Sequence, residues 1–206
     1  MSVLTNWGYT LPDLTTLDPL LSVDDFNTLT ASKFVGDTRV SGALASASQA
    51  VRDCCGWHLF PSAKCELDTT MFDRRVTRVN GDLLIQLPAR YVSGVTEILI
   101  DGEAVTQFIL QPNGILLVHA CGWYNRFTTV KVTYTAGLPD ALKNSIINVA
   151  VNRTVKTLSQ SNGVQSESVG GVSITYSAGW MNDASGAALT PTESAALAAY
   201  KLTGVF

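Results

Sequence analysis

The pattern of apolar and polar residues divides the chain into helical segments at both ends and a β-rich middle. Near the N-terminus, Ser22 begins a short predicted helix with Asp24 and Asp25 in its first turn, where acids are favoured by the helix dipole. Asp37 can cap a second helix that runs to about Cys55, because apolar residues recur there at three- and four-residue spacing. The sequence therefore predicts two helices ahead of the first strand.

The second predicted helix has one apolar stripe and one polar face. The stripe is rich in alanine and could be approached closely by another helix; it consists of Val40, Ala43, Leu44, Ala47, Val51, Cys54 and Cys55. The polar face consists of Arg39, Ser46, Gln49, Arg52 and Asp53. Gly56 stands where a helix stop is expected.

From Trp57 to about Ala136 the pattern becomes that of strands, with runs rich in Val, Ile, Thr and Tyr between turn signals. Asn80-Gly81 and Asp101-Gly102 suit type I′ hairpin turns because both residues tolerate positive φ, and Asn113-Gly114 follows Pro112 in a looser turn. We predict a meander of short antiparallel strands at about 63–71, 74–79, 82–87, 95–100, 104–110, 114–119 and 128–135.

A third helix is predicted from Asp140 to about Leu158, with Pro139 in its first turn. Its apolar surface is wider than one stripe, so we expect cover on two sides, from the β-rich middle or from another subunit. The segment 159–189 is rich in Ser, Gly and Asn. Within it, apolar residues alternate with polar ones and predict a strand that needs a partner edge; they are Val172, Ile174 and Tyr176.

The last predicted helix is introduced by Thr190-Pro191-Thr192-Glu193, a capping box with proline at the first helical position, and extends from Ala195 to Leu202. Together the elements predict an α+β fold, with a small helical core of about four helices and an antiparallel β module inserted between the second and third long helices. The predicted parts are an extended N-terminal arm at 1-21, a helical core made of 22-56 and 137-206 with a 159-189 loop, and the inserted β module at 57-136.

Composition favours a protein that is covered by partners. The chain has 206 residues, 46% of them hydrophobic and only 15% charged, a low share for a soluble domain. Its net charge of −3 argues against a protein that grips nucleic acid by its phosphates. We find no pattern of a signal peptide in the first 21 residues and no run of 18 apolar residues, so we expect neither secretion nor a membrane span, and reduced cysteines.

The candidate chemical groups are few. Cys54, Cys55, His58 and Cys65 are close in sequence, but adjacent cysteines lack the C-x2-C spacing with which two thiolates bind one zinc ion, so we interpret them as packing residues. His119 and Cys121 do not identify a nucleophile–base pair. The phosphate-loop, nucleophile-elbow and zinc-protease motifs are also missing. We therefore predict no catalytic residue, no metal and no cofactor, and a protein that is not an enzyme.

One basic cluster stands out, formed by Arg74, Arg75 and Arg78, of which alternation places Arg74 and Arg78 on one face of a strand. A solvated face is the first interpretation, and a contact with an acidic partner or DNA is the alternative.

Three segments carry a resemblance to a known family. They are Val130-Lys-Val-Thr-Tyr-Thr-Ala-Gly137 followed by Leu138-Pro139-Asp140 and a helix, Ser166-Glu-Ser-Val-Gly-Gly-Val-Ser-Ile-Thr-Tyr-Ser177, and Leu189-Thr-Pro-Thr-Glu-Ser-Ala-Ala-Leu-Ala-Ala-Tyr200. In this order, over about residues 128 to 202, the chain resembles the head-tail connector (adaptor) proteins of long-tailed bacteriophages. The resemblance implies a structural subunit of a twelvefold ring in the virion neck. The ring would be assembled in the host cytoplasm between the portal protein and a stopper or tail-completion protein, and DNA would pass through its lumen without sequence-specific binding.

On this interpretation, subunits meet through the 172–176 strand and the third helix, and the chain's last residues dock on the portal. The expected subunit-interface residues are Val172, Ile174, Tyr176, Ile147, Val151 and Val155. The expected portal-docking residues are Leu197, Tyr200, Lys201, Leu202, Val205 and Phe206. The alternative is a β-module protein that binds a carbohydrate or a protein surface through exposed aromatic residues such as Trp123, Tyr124 and Trp180.

Overall fold

The protein has an α+β fold with helices and antiparallel sheets. A computed structural model describes residues 2–119, 127–159, 166–169, 172–175 and 189–202. Within these residues the α-helices are α1 (Val23–Leu29), α2 (Val40–Cys55), α3 (Asp140–Ser159) and α4 (Pro191–Leu197). The strands are β1 (Val3–Leu4), β2 (Thr10–Leu11), β3 (Ala63–Thr70), β4 (Val76–Val79), β5 (Asp82–Gln86), β6 (Val92–Ile100), β7 (Glu103–Ala104), β8 (Phe108–Gln111), β9 (Ile115–Val118), β10 (Thr129–Ala136), β11 (Ser166–Val169) and β12 (Val172–Thr175).

The helix ends follow local capping signals. The Ser22 hydroxyl accepts a hydrogen bond from the backbone N–H of Asp25 at 3.1 Å, as expected for an N-cap. The carboxylate of Asp37 accepts the backbone N–H of Arg39 at 2.9 Å, which is the kind of hydrogen bond predicted for it, and α2 begins three residues after Asp37, at Val40. Gly56, with φ of 78°, ends α2 as predicted.

The last helix is shorter than predicted. It begins at Pro191, directly after the capping Thr190, but ends at Leu197 and continues as a single 3-10 turn over Ala198–Tyr200. The prediction that this helix reaches Leu202 is therefore wrong, because neither the α-helix nor the 3-10 turn extends beyond Tyr200.

The strands lie close to their predicted places, but they do not form a meander. One sheet has the order β1-β2-β3-β10-β6-β7, a second has the order β4-β5-β9-β8, and β11 pairs with β12 in a third. The strand β10 lies between β3 and β6, although β3 ends 59 residues before β10 begins, at the Thr70–Thr129 pair. Alternation along β10 explains this place, because Val130, Val132 and Tyr134 are buried, as expected for a central strand.

The three predicted turns have the required backbone. Both residues of Asn80-Gly81, of Asp101-Gly102 and of Asn113-Gly114 have positive φ, between 49° and 94°. All three turns join paired strands: β4 to β5, β6 to β7, and, through a 3-10 turn, β8 to β9. The turn chemistry of the sequence was therefore predicted correctly.

The chain divides into two compact units. Unit 1 contains residues 1–17, 55–143 and 197–206, and unit 2 contains residues 18–54 and 144–196. These boundaries differ from the predicted parts, because the N-terminal and C-terminal segments both belong to the unit with the large sheets. The segment predicted as a separate arm instead supplies β1 and β2 to that unit, with Thr10 of β2 paired to Glu66 of β3 and Tyr9 and Leu11 buried.

Unit 2 has an apolar core built from three helices. Its buried members are Leu21, Phe26, Val40, Ala43, Leu44 and Leu158. Arg52, expected on the polar face of α2, is instead 2% exposed, and its Nη2 donates to the carbonyl of Asp18 at 2.7 Å. A long side chain can be buried in this way when its charged head is hydrogen bonded. Among the described helices, none is long and apolar enough to cross a membrane.

Candidate functional site

The cysteine and histidine cluster is a packing site. His58 is fully buried, with Nε2 3.1 Å from the carbonyl of Ala136 and Nδ1 2.8 Å from the hydroxyl of Tyr9. The backbone N–H of His58 donates to that same hydroxyl at 3.0 Å. A carbonyl can only accept, so Nε2 carries a hydrogen, and Nδ1 shares the second hydrogen bond of the ring with the Tyr9 hydroxyl. His58 therefore joins the N-terminal segment to β10.

The thiols near His58 are not arranged for reaction. Cys55 and Cys65 are buried and Cys54 is half-buried, and none of the three is in a disulfide. Burial raises the pKa of the Cys65 thiol to about 12, so this thiol is protonated at neutral pH and is a poor nucleophile. Across the described ranges, no group of three or more His, Cys, Asp and Glu side chains is placed to hold a metal ion.

His119 has a partner that the sequence did not indicate. Its Nδ1 lies 3.1 Å from a carboxylate oxygen of Asp82, because Leu83 pairs with Val118 in adjacent strands and brings the two neighbouring residues together. Both side chains are partly exposed. Cys121, the other member of the pair weighed from the sequence, lies outside the described residues.

The three arginines of the basic cluster have different environments. Arg75 is largely buried, forms an ion pair with Asp73 at 2.9 Å and points Nη1 at the carbonyl of Trp7 at 3.4 Å. Arg74 lies exposed in the turn before β4, and Arg78 lies exposed within β4. The structure therefore does not bring the three together as one patch, and Arg75 is used inside its own unit.

The Asp73 carboxylate organises this turn. It accepts the hydroxyl of Thr69 at 2.6 Å and the backbone N–H of Arg75 at 2.9 Å, in addition to the guanidinium. Burial by itself raises the pKa of Asp73, but the hydrogen bonds from Arg75 and Thr69 outweigh it and hold the pKa at about 2. Residues 71–75 are therefore fixed by hydrogen bonds at both ends of the turn.

The expected interface residues of α3 are engaged in unit 2. Ile147, Val151 and Val155 are half-buried and pack against the apolar core of that unit. The wide apolar surface of α3 is thus covered on this side by the same chain, and only the exposed remainder of the three side chains is left for another subunit.

Some of the expected portal-docking residues are buried and others are partly exposed. Leu197 is fully buried, Tyr200 is 9% exposed, and the carbonyl of Tyr200 accepts a hydrogen bond from the indole of Trp57 at 2.9 Å. The backbone N–H of Leu202 donates to the carbonyl of Cys55 at 2.9 Å. The side chains of Leu197 and Tyr200 are therefore already buried within this chain, and their docking on a portal stays a prediction.

Lys201 and Leu202 remain partly exposed, and the carbonyl of Lys201 accepts from Arg90 at 3.2 Å. Val205 and Phe206 lie outside the described residues.

The predicted strand around Val172 is part of a hairpin. The strands β11 and β12 are antiparallel, with Val169 opposite Val172 and Ser166 opposite Thr175. Among the described strands, these two form a sheet of their own. An isolated hairpin of this size is marginally stable in water, and its outer edges can accept another strand. Ile174 lies in β12, whereas Tyr176, like Trp123, Tyr124 and Trp180 of the alternative function, lies outside the described residues.

Sequence reasoning missed a set of exposed apolar side chains. Phe72 and Phe127 are 76% and 78% exposed, and Leu29 and Val35 are also largely exposed. The available signal was the place of Phe72 inside a turn between two predicted strands, where polar residues are usual.

No protein-family model matches this chain, and no curated protein matches it either.

Proposed function

We propose that this chain is a non-enzymatic structural subunit, a head-tail connector (adaptor) that forms a ring in the neck of a tailed phage particle. In this role it binds copies of itself, the portal protein, and a stopper or tail-completion protein, and DNA passes through its lumen without sequence-specific binding. The proposal places it in the virion, after assembly in the host cytoplasm.

One observation carries the proposal: β11 and β12 pair with each other as a separate two-stranded sheet. Backbone groups on the outer edges of such a hairpin are satisfied by water or by a partner strand, and a neighbouring subunit in a ring supplies a partner. The hairpin bears the Ser-Val-Gly-Gly-Val-Ser-Ile-Thr sequence on which the resemblance to connector proteins partly rests.

We also propose that a small helical core of about four helices carries an inserted antiparallel β module between its second and third long helices. In support, α2 ends at Cys55, α3 begins at Asp140, and the strands β3 to β10 lie between them.

The surface chemistry also favours a structural role. The net charge is −3, and only 15% of residues are charged, which gives the phosphates of passing DNA little to bind. Several large apolar side chains remain exposed, as is usual where a protein meets partners.

A measurement of mass tests the proposal. The full chain is examined by light scattering after size exclusion, alone and with the portal protein of the same virus. We expect a complex that contains about twelve copies of this chain on each portal ring. As a matched pair, Ile174→Asp in the hairpin should reduce assembly, whereas Ile109→Asp in β8 should not. A chain that stays monomeric and does not bind the portal contradicts the proposal.

A further inference from the structure

The end of the β3–β10 strand pair presents two phenylalanines to solvent. The backbone N–H of Met71 donates to the carbonyl of Thr128 at 3.0 Å, so Phe72 and Phe127 leave this strand pair at the same end. Both side chains are more than three-quarters exposed. We call Phe72, Arg74 and Phe127 the aromatic tip.

The turn that carries Phe72 is held in one conformation. The carboxylate of Asp73 accepts hydrogen bonds from Thr69 on one side and from Arg75 on the other, and the backbone N–H of Val76 donates to the Asp73 carbonyl at 2.9 Å. A side chain on a fixed turn loses little conformational freedom when it binds, which makes Phe72 a good anchor for an interface.

The charge beside this anchor is positive. Arg74 is exposed in the same turn, whereas Arg75 is committed to Asp73. A partner that fits the aromatic tip therefore combines an apolar surface for Phe72 with an acid for Arg74.

The helix α1 of the same chain has this combination. It buries Phe26 in unit 2 and leaves the adjacent Val23 and Asp24 exposed. We call these two residues the acidic face of α1. Its neighbour Asp25 is already used by the cap, because the Ser22 hydroxyl donates to its carboxylate at 2.7 Å, so Asp24 is the acid available to a partner.

The two surfaces differ in sequence and are opposite in charge. A contact between them in two copies of the chain is heterologous, that is, head to tail, and contacts of this kind close into a ring when the rotation permits. A contact of one surface with its own copy would instead place two Arg74 or two Asp24 residues close together, which is unfavourable.

We propose that the aromatic tip of one subunit packs on the acidic face of α1 of the next subunit, with Arg74 beside Asp24. The inference rests on the proposed ring and adds to it the pair of surfaces that holds neighbouring subunits together.

The test is a charge exchange, measured by sedimentation of the full chain over a concentration series, alone and on the portal ring. Arg74→Glu, Asp24→Arg and Phe72→Ala should each weaken the association between subunits about tenfold or more. The double variant Arg74→Glu with Asp24→Arg should return to within about threefold of the original association, a recovery that a misfolded chain cannot give.

Matched controls have the same chemical change elsewhere. Lys64→Glu and Asp13→Arg alter exposed charges, and Ile109→Ala truncates another exposed apolar side chain. All three variants should assemble normally.

If a ring forms but Phe72→Ala and Arg74→Glu assemble as well as the original chain, the inference is wrong and the proposed function stands. If double charge exchange fails to recover assembly, the pairing of these two surfaces is wrong. If the original chain forms no ring alone or on the portal, both proposals fail.

Discussion

The ammonium group of Lys156 lies 2.8 Å from a carboxylate oxygen of Glu193, which joins α3 to the first turn of α4. Glu193 also accepts the backbone N–H of Thr190 at 2.9 Å, and its own N–H donates to the Thr190 hydroxyl, so the predicted capping box is formed. Arg153 approaches the same carboxylate at 3.6 Å, and both side chains of that pair are almost completely buried. One acid thus serves a helix cap and two cations.

Replacing this acid should destabilise the protein. For Glu193→Gln we expect a loss of about 3 kcal/mol in the free energy of unfolding at pH 7, because the buried Arg153 loses a nearby counter-charge and the half-exposed Lys156 loses its ion pair. Urea unfolding followed by circular dichroism measures it, with the exposed Glu103→Gln as a control that should change stability by less than about 0.5 kcal/mol.

The effect of Glu193 should depend on pH. Burial raises its pKa, but hydrogen bonds from Lys156 and Thr190 outweigh this and hold the pKa below the ordinary glutamate value. A lowered pKa gives stability that is present above the unfolded-state pKa and is lost as pH falls through the folded-state pKa. The difference between the original chain and Glu193→Gln should therefore shrink below about pH 4, the ordinary glutamate range. A constant difference from pH 7 to pH 3 would contradict the electrostatic explanation.

Gly137 is a position where a side chain does not fit. A methyl group built on it would collide with the backbone of Ser62, and its N–H donates to the carbonyl of Tyr91 at 3.0 Å. We expect Gly137→Ala to lower the free energy of unfolding by about 2 kcal/mol through overpacking. The glycine of the Tyr-Thr-Ala-Gly sequence thus has a structural reason that does not require a partner.

The matched control for Gly137→Ala is Gly42→Ala. Gly42 lies inside α2, and a methyl group added there meets no atom within 4 Å. Because alanine favours a helix over glycine, this variant should gain about 0.5 to 1 kcal/mol in thermal or urea unfolding. Equal and small effects at both positions would show that the approach of residues 137 and 62 is not tight.

The turn at Asp73 should respond to acid at a lower pH. Its folded-state pKa is about 2, whereas an aspartate in an unfolded chain titrates near 3.9. Its stabilising effect is therefore complete above about pH 4 and is lost as pH falls towards 2. Asp73→Asn should be less stable than the original chain at pH 7, and the two should converge near pH 2; the midpoint of urea unfolding at each pH measures this. Asp13→Asn, at an exposed position, should run parallel to the original chain throughout.

The Tyr9 hydroxyl is a buried junction. It is hydrogen bonded to the Nδ1 of His58 and accepts the backbone N–H of the same residue. Removal of the hydroxyl in Tyr9→Phe takes a partner from both groups, so we expect a loss of about 2 kcal/mol. Tyr91→Phe, at a half-buried tyrosine, is the comparison, and urea unfolding with tryptophan fluorescence gives both values. A smaller loss for Tyr9→Phe than for Tyr91→Phe would contradict the role assigned to the junction.

The features that were predicted correctly depend on residues close in sequence. The Ser22 cap, the Thr190–Glu193 capping box and the positive φ of Asn80-Gly81 each involve atoms within a few residues of one another. Strand positions followed from alternation over four to nine residues.

The missed features depend on distant residues. The missed contacts join parts of the chain 30 to 73 positions apart: the place of β10 between β3 and β6, the burial of Arg52 on the carbonyl of Asp18, and the Tyr9–His58 junction. A local sequence pattern shows whether a side chain is apolar or polar. It does not show which distant backbone group that side chain will contact. The packing of α3 with the first two helices in one core was predicted, but the residues of α3 that this core covers were not, and three of them had been assigned to a subunit interface.

The central position of β10 also sets an order of events during synthesis. The strands β3 and β6 leave the ribosome well before β10, and each has its longest pairing with that later strand. The hairpins β4–β5 and β8–β9 can close as soon as they emerge, whereas the large sheet waits, with two edges open, until residue 136 has been added. We expect this nascent chain to depend on chaperones over that interval, and refolding of the full chain to be slow for its size because its main pairings are non-local.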